Sequence, residues 1–127
     1  MKQEDAMRFK ILESELSQTQ NFIQRIEEQL GEVSSLIESL EEFKKLEAGE
    51  EILFPIANGI FAQGTLKNNA KLKLNVGQDI IVEKTVEEAT ELVTEQLNNL
   101  QEQRIAATNR EEDIYKELEE MEKNVNV

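Results

Sequence analysis

The chain has 127 residues, a length typical of a single domain, and its 27 acidic side chains exceed its 14 basic ones, which gives a formal net charge of -13. This charge repels phosphate, so we expect neither nucleic acid nor an anionic membrane as a partner, although solubility alone would also explain the acidity. The sequence has no Cys and no His, which excludes disulfides, thiolate and imidazole catalysis, and zinc held by His or Cys. No segment approaches the ~20 apolar residues of a membrane span, and the first residues lack the apolar run of a signal peptide, so we expect a cytoplasmic protein.

The first segment, residues 1–48, has the hydrophobic repeat of a coiled-coil helix. Apolar side chains recur in two interleaved sets, each with heptad spacing, over about five heptads. The two sets are Phe9, Leu16, Ile23, Leu30 and Ile37, and Leu12, Thr19, Ile26, Val33 and Leu40. We call these positions, together with their counterparts in the last segment, the seam. The pattern predicts one long helix that ends around residues 47–51, with Gly49 as a left-handed cap.

The middle segment, residues 49–84, alternates with the period of two that is typical of β-strands. The candidate strands are the runs ILFPI (52–56), GIFAQGTLK (59–67), KLKLNV (71–76) and DIIVEK (79–84). Pro55 indicates an edge or irregular strand, because proline cannot donate a hydrogen bond to a β-ladder. Turn-forming residues at 68–69 and 77–79 separate the later runs. The pattern predicts either two β-hairpins or one run of four strands.

The last segment, residues 85–127, opens with the capping-box pattern TVEE, in which the side chains of Thr85 and Glu88 satisfy each other's backbone amides. A second seam follows. Its two sets are Val93, Leu100, Ala107, Ile114 and Met121, and Leu97, Arg104, Glu111, Leu118 and Val125. The polar members Arg104 and Glu111 have two interpretations. They fix the register of the coil, or a narrow two-stranded coil tolerates them because long side chains reach water.

Two helices of similar length around a compact insert predict a single α+β domain, in which a long antiparallel two-helix coiled coil is joined by two β-hairpins. The insert is too apolar, and its strand edges are too open, for it to stand alone in water. We therefore expect it to oligomerise, with strands from several chains closing into a shared β-barrel. The predicted assembly residues are Ile52, Phe54, Ile60, Phe61, Leu72, Leu74, Val76, Ile80, Ile81 and Val82.

The segments ILFPIANGIF (52–61) and LNVGQDIIVEKTVEEA (74–89) resemble the prefoldin family, and within it the α class, whose subunits carry two hairpins where the β class carries one. The resemblance implies a hexamer of two α-type and four β-type subunits with a double β-barrel base. It also implies a chaperone that holds non-native client proteins at the ends of its coiled coils, without ATP or another cofactor, and passes them to a group II chaperonin. The periodicity by itself indicates only a coil with an oligomerising insert.

Candidate client-binding residues lie at the end of the predicted coil where both termini meet. They are Met7, Phe9, Ile11, Leu12, Leu16, Tyr115, Leu118, Met121 and Val125. The seam members of this set are also explained as coil core, whereas Met7, Ile11 and Tyr115 fall off the seam and are expected to be exposed. An enzyme is not expected, because the sequence has no P-loop motif and adjacent glutamates do not share a helix face. The competing interpretation is a structural scaffold that assembles through its insert without binding clients.

Overall fold

The computed structural model describes the backbone of residues 2–125 and the side chains of residues 2–124. Its elements are α1 (Gln3–Lys44), β1 (Glu51–Ala57), β2 (Ile60–Thr65), β3 (Lys71–Asn75), β4 (Ile81–Thr85) and α2 (Val86–Val125). Two long helices and two antiparallel hairpins confirm the predicted α+β fold class. The chain forms two compact units. The terminal unit comprises α1 up to Glu32 and α2 from Leu97, and the hairpin unit comprises Val33–Gln96.

In the terminal unit the two helices pair antiparallel. Arg8 Nη2 lies 2.6 Å from Glu117 Oε1, and Arg110 Nη2 lies 2.6 Å from Glu15 Oε1, so residue numbers rise along one helix as they fall along the other. The buried apolar side chains of this unit are Leu12, Ile26, Ala107 and Ile114. All four are predicted seam positions. Because one stripe of each helix is buried, the helices form the coil that the heptad pattern predicts.

The two polar seam residues differ in their exposure. Arg104 is exposed, and Glu111 is half-buried. Neither charge is enclosed in the seam, which supports the interpretation that long polar side chains are tolerated there because they reach water.

The hairpin unit contains two separate two-stranded sheets, one formed by β1 and β2 and the other by β3 and β4. The two-hairpin interpretation is therefore correct. The register of the first hairpin shifts between Pro55 and Ala57, which confirms the irregular strand expected from the proline. In the second hairpin, Gly77, Gln78 and Asp79 have φ values of 117°, 51° and 60°. The three residues with positive φ form the turn of the hairpin. Strand β4 therefore begins at Ile81 rather than at the predicted residue 79.

The ends of the helices that face the hairpins are capped in two different ways. The last residue of α1 is Lys44, and its carbonyl oxygen accepts a hydrogen bond of 3.1 Å from the side-chain amide of Asn69. Gly49 has the predicted left-handed conformation, with φ 91°, but it lies in the turn before β1 and does not cap the helix. At the start of α2 the capping box is confirmed. Thr85 N donates to Glu88 Oε1, and Glu88 N donates to Thr85 Oγ1, both at 3.1 Å.

A small core stabilises the hairpin unit. Its buried apolar side chains are Leu66, Val86, Ala89 and Val93. Leu66, which follows β2, also binds the chain before β1 through its backbone: Leu66 N donates to Glu50 O at 2.9 Å, and Gly49 N donates to Leu66 O at 2.8 Å. Within the described residues, no helix has both the length and the apolar character that crossing a membrane requires.

Candidate functional site

Three apolar side chains near the ends of the chain lie off the seam and are exposed. Met7, Ile11 and Tyr115 leave 61%, 57% and 48% of their surface open to solvent. Met7 and Ile11 are one helical turn apart on α1, so they lie on the same face. We call these three residues the terminal apolar residues. They are exposed because each is displaced around its helix from the stripe that the partner helix covers.

Tyr115 is fixed in place by a hydrogen bond across the coil. Gln20 Nε2 donates to the Tyr115 hydroxyl oxygen at 2.9 Å. The polar end of the side chain therefore has a partner in the protein while about half of the residue stays open. An aromatic ring with a satisfied hydroxyl and an exposed face suits contact with an apolar partner.

The remaining predicted client-binding residues are less accessible. Phe9, Leu16, Leu118 and Met121 are half-buried. Leu12 is only 1% exposed. Leu12 thus contributes to the core of the coil and offers no surface while the coil is closed. The side chain of Val125 lies outside the described residues.

Two ion pairs join the helices in the same stretch. Arg8 pairs with Glu117, and Arg110 approaches one oxygen of Glu15 with both Nε, at 2.8 Å, and Nη2, at 2.6 Å. The hydrogen bond from Arg8 to Glu117 raises the pKa of the guanidinium above its ordinary value. All four side chains are more than a third exposed, so solvent screens both pairs and their contribution to stability is small.

A shallow apolar groove lies along the terminal unit, and the sequence analysis did not identify it. Phe22, Ala106 and Ala107 line it, and the Glu15–Arg110 pair also borders it; its volume is about 420 Å³. The groove forms because the seam is filled there by the small side chains of Thr19 and Ala107. Phe22 lies off the seam and is 40% exposed. It follows Ile11 by about three helical turns, so the spacing in the sequence already placed both residues on one face of α1.

The hairpins expose most of their apolar residues. Of the predicted assembly residues, Phe54, Ile60, Phe61, Val76, Ile80 and Ile81 are exposed, and Ile52, Leu72, Leu74 and Val82 are half-buried. Two further strand residues, Leu53 and Ile56, are 62% and 67% exposed. They belong to the run ILFPI that predicted β1, so the signal was present. An isolated chain would leave this much apolar surface in water, which is typical of an interaction surface.

The described residues contain no cluster of three or more Asp, Glu, His or Cys side chains that could hold a metal ion. Carboxylates are numerous, but helical spacing spreads them around the outer faces of α1 and α2. The candidate site consists of exposed apolar side chains on a helical framework, an arrangement suited to binding.

Comparison with known proteins identifies the family. The prefoldin family, described as prefoldin subunit, matches residues 12–127. Prefoldin subunit alpha of Thermofilum pendens is 31% identical over an alignment of 117 positions, and the match covers 90% of this chain and 91% of the relative. Prefoldin subunit alpha of Methanocorpusculum labreanum is 33% identical over an alignment of 108 positions, and the match covers 74% of this chain and 74% of the relative.

The fold is also similar to a solved structure, the filamentous PFD from Methanocaldococcus jannaschii. The TM-score is 0.76 at 18% sequence identity, and the match covers 89% of this chain and 93% of that one. At this identity the likeness concerns the fold alone, which agrees with the two helices and two hairpins described above. By its match to the family over residues 12–127 the chain belongs to the prefoldin family, and the two relatives named above are alpha subunits.

Proposed function

We propose that this chain is an ATP-independent chaperone subunit that captures non-native polypeptides through its terminal apolar residues. Prefoldin subunits are chaperone subunits, and the family match covers residues 12–127. The observation that carries the proposal is the exposure of Met7, Ile11 and Tyr115 beside the buried core residues Leu12 and Ile114. The core holds the helices rigid, and the off-seam side chains present apolar surface from that support.

The capture rests on apolar burial. A non-native polypeptide exposes side chains that a folded protein hides, and covering them stabilises the complex by roughly 25 cal/mol per Å². Met7 is unbranched and polarisable, so it adapts to different apolar partners. Ile11 and Tyr115 add apolar surface from side chains that have fewer conformations than methionine. Three residues form a small contact, so one chain holds a client weakly and without sequence specificity.

Assembly would convert weak capture into useful affinity. Prefoldin alpha subunits form oligomeric complexes with other prefoldin subunits, and we propose a hexamer of two such chains with four β-type subunits. The exposed apolar residues of the hairpins, such as Leu53, Phe61 and Ile80, would be covered in that assembly. Several coils acting on one client raise the effective concentration of binding sites without any new contact. The proposed complex acts in the cytoplasm and delivers its client to a group II chaperonin.

The test compares two triple variants, each assembled with a β-type subunit. The first replaces the terminal apolar residues: Met7→Gln, Ile11→Gln and Tyr115→Gln. The matched control replaces three exposed apolar residues elsewhere on the helices: Leu36→Gln, Leu92→Gln and Ile105→Gln. Both sets remove apolar surface without removing a buried side chain. Light scattering then follows the aggregation of guanidinium-unfolded citrate synthase on dilution.

We expect the first variant to lose most of its protection of the client and the control to keep it. Protection should change little with added salt, because apolar burial is not screened as exposed charge pairs are. Full protection by an assembled first variant would show that clients bind elsewhere. Loss of protection in both variants would show that the terminal residues have no special part.

A second candidate function is a structural scaffold that assembles through its hairpins without binding clients. One observation favours it: the fold is similar to that of a filamentous PFD, so a chain of this architecture can belong to a filament. The two functions differ in the same aggregation assay. A scaffold would form large assemblies by sedimentation and would leave aggregation of the unfolded enzyme unchanged at every concentration of the wild-type chain.

A further inference from the structure

A basic patch in the hairpin unit contrasts with the charge of the whole chain. Lys67, Lys71 and Lys73 follow one another closely, and the only acidic residue between positions 52 and 82 is Asp79. The whole chain carries a net charge of -13. This local excess of positive charge is not explained by the apolar assembly surface or by the terminal apolar residues.

The second hairpin and the loop before it bring the three lysines together around one depression. Lys67, Asn68, Lys71, Lys73 and Glu83 line this depression, whose volume is about 350 Å³. We call the three lysines that line it the lysine patch. Lys71 and Lys73 are two residues apart on β3, so they lie on the same face of the hairpin. Both are exposed.

The loop that carries Lys67 is held in place by backbone and side-chain contacts. The side-chain amide of Asn69 donates to the carbonyl oxygens of Lys44 and Leu46. Next to it, Asn68 Oδ1 accepts a hydrogen bond of 3.1 Å from Ala70 N. Asn69 thus anchors the loop to the end of α1, and the bond between Asn68 and Ala70 forms a local turn within it.

One carboxylate, that of Glu83, lies beside the lysine patch and neutralises only part of the patch's positive charge. Glu83 is the cross-strand partner of Lys73, and its Oε2 lies 4.0 Å from Lys71 Nζ. The side chains of Lys71 and Glu83 are both more than half exposed, so this pair is weak. A single glutamate against three lysines gives the depression a net positive charge.

We propose that the lysine patch binds a carboxylate-rich helix of another polypeptide. Charge complementarity is the first argument. Spacing is the second: two residues along a strand separate Lys71 and Lys73 by roughly 6.6 Å. Carboxylates one turn apart on a helix have Cβ atoms about 5–6 Å apart, so successive glutamates on one helix face can reach both ammonium groups.

The same chemistry favours a helix over a phosphate polymer. Lysine binds phosphate as a point charge, so the patch alone would accept either ligand. A nucleic acid or a long polyphosphate is negative along its entire length, and the charge of -13 opposes its approach. A helix can be acidic on one face and neutral overall, so the same field opposes it far less.

The experiment uses the full chain and two labelled alanine-based helical peptides. The first peptide has glutamates one turn apart on one face, and the second has glutamines at those positions. Fluorescence anisotropy measures their affinities for the wild-type chain and for the variant Lys71→Gln with Lys73→Gln. The matched control is Lys10→Gln with Lys116→Gln, which removes the same charge from exposed helix positions. Circular dichroism and light scattering report whether each variant keeps its fold and assembly.

We expect the wild-type chain to bind the glutamate peptide and not the glutamine peptide, with an affinity that falls as salt is added. The patch variant should lose about tenfold in affinity, as expected for two exposed ion pairs. The control should lose less than about twofold, the effect of net charge alone at moderate salt. The variant Glu83→Gln should bind about threefold more tightly, because the one carboxylate that competes for the lysines is gone. This gain of affinity cannot result from misfolding.

Three results would overturn the proposal. Equal losses in the patch variant and the control, or weaker binding by Glu83→Gln, would show that the lysines serve only to keep strand edges soluble. Binding of inorganic tripolyphosphate or of a single-stranded oligonucleotide, with no binding of the glutamate peptide, would identify a phosphate site. The proposed client capture does not depend on this patch, so the aggregation assay is expected to be unchanged in Lys71→Gln with Lys73→Gln.

Discussion

The side-chain amide of Asn69 donates a hydrogen bond to the carbonyl oxygen of Lys44, the last residue of α1, across 25 residues of sequence. The same amide donates to Leu46 O at 2.5 Å. The last carbonyls of a helix have no partner within the helix, so a side chain that reaches them replaces the missing backbone donors. Asn69 thereby connects the loop between the hairpins to the end of the first helix.

This relationship predicts that Asn69→Asp destabilises the chain. Aspartate has nearly the same size, but its carboxylate cannot donate and faces the carbonyl oxygens that the amide had bound. We expect a loss of about 1–3 kcal/mol in the free energy of unfolding, measured by denaturant titration at fixed protein concentration. The control is Asn99→Asp, the same change at an exposed position on α2. Equal stability of the two variants would show that the Asn69 contacts contribute nothing.

Two glycine substitutions should have opposite effects. A Cβ atom added to Gly64 on β2 would meet the ring of Phe54 on β1, whereas one added to Gly31 in α1 would meet nothing within 4 Å. We expect Gly31→Ala to stabilise the helix by about 0.5–1 kcal/mol, because alanine loses less conformational freedom. Gly64→Ala should destabilise the hairpin, because the partly exposed ring of Phe54 must move to admit the new methyl group.

Thermal melts of the two glycine variants at equal protein concentration compare them directly. Adding Phe54→Leu should recover stability in the Gly64→Ala background, because the smaller side chain vacates the space that the new methyl group needs. Absence of this recovery would mean that the ring is not what opposes a larger side chain at position 64.

The capping box should make stability depend on pH in the acid range. The hydrogen bond from the Thr85 amide is the main cause that lowers the pKa of Glu88 below its ordinary value of 4.5. A lowered carboxyl pKa means that the folded state favours the ionised form. The stabilisation is therefore complete above pH 4.5 and is lost as the pH falls through the folded-state pKa.

We expect Glu88→Gln to be less stable than the parent at about pH 7, and we expect this deficit to shrink at about pH 3, as the parent side chain takes up a proton. Thr85→Ala removes the other half of the box and should cost about 1 kcal/mol near neutral pH. Chemical denaturation at both pH values measures the differences. A deficit of Glu88→Gln that is as large in acid as at neutral pH would contradict the ionised cap.

Neighbouring residues on α1 should respond very differently to truncation. Leu12 is 1% exposed and Ile11 is 57% exposed. Leu12→Ala should cost about 2–5 kcal/mol, because it leaves a cavity in the seam. Ile11→Ala should change stability by less than about 0.5 kcal/mol, the usual range for surface positions. Urea titration followed by helical circular dichroism distinguishes them, and similar losses in the two variants would mean that the seam is assigned to the wrong face.

Periodicity predicted the helices and strands well, because an element that is buried on one face has apolar residues at regular intervals in the sequence. Leu12, Ile26, Ala107 and Ile114 are buried where the heptads placed them, and the Thr85 box forms as its pattern predicts. These features depend on residues that are near one another in the chain. Local pattern also identified the off-seam positions Met7 and Ile11, because exposure follows from the same helical geometry.

Features that depend on distant residues could not be predicted in this way. The end of α1 was placed near Gly49, since no local signal reveals that Asn69 caps Lys44. The apolar groove needs small side chains on both helices at one level, which requires the register of the coil. The lysine patch needs the pairing of Lys73 with Glu83 across the hairpin, and that pairing is set by the turn at Gly77–Asp79.

The hairpins are expected to carry the surface through which the chain assembles. Ile80 lies in the second hairpin and is 55% exposed, so a polar side chain there leaves the folding of the chain intact. If that surface joins several chains, a buried charge at the interface has no partner and opposes assembly. We therefore expect Ile80→Glu to reduce the mass of the complex formed with a β-type subunit, as measured by light scattering.

The control for this prediction is Ile105→Glu, which introduces the same charge at a residue of α2 that is 58% exposed. Because Ile105 lies on a helix face outside the hairpins, its variant should keep the mass of the parent complex. Circular dichroism should show parental helix content for both variants, since neither side chain is buried in the isolated chain. An Ile80→Glu complex of unchanged mass would place the assembly surface outside the second hairpin. The apolar residues of the first hairpin, Leu53 and Ile56, would then be the next positions to test.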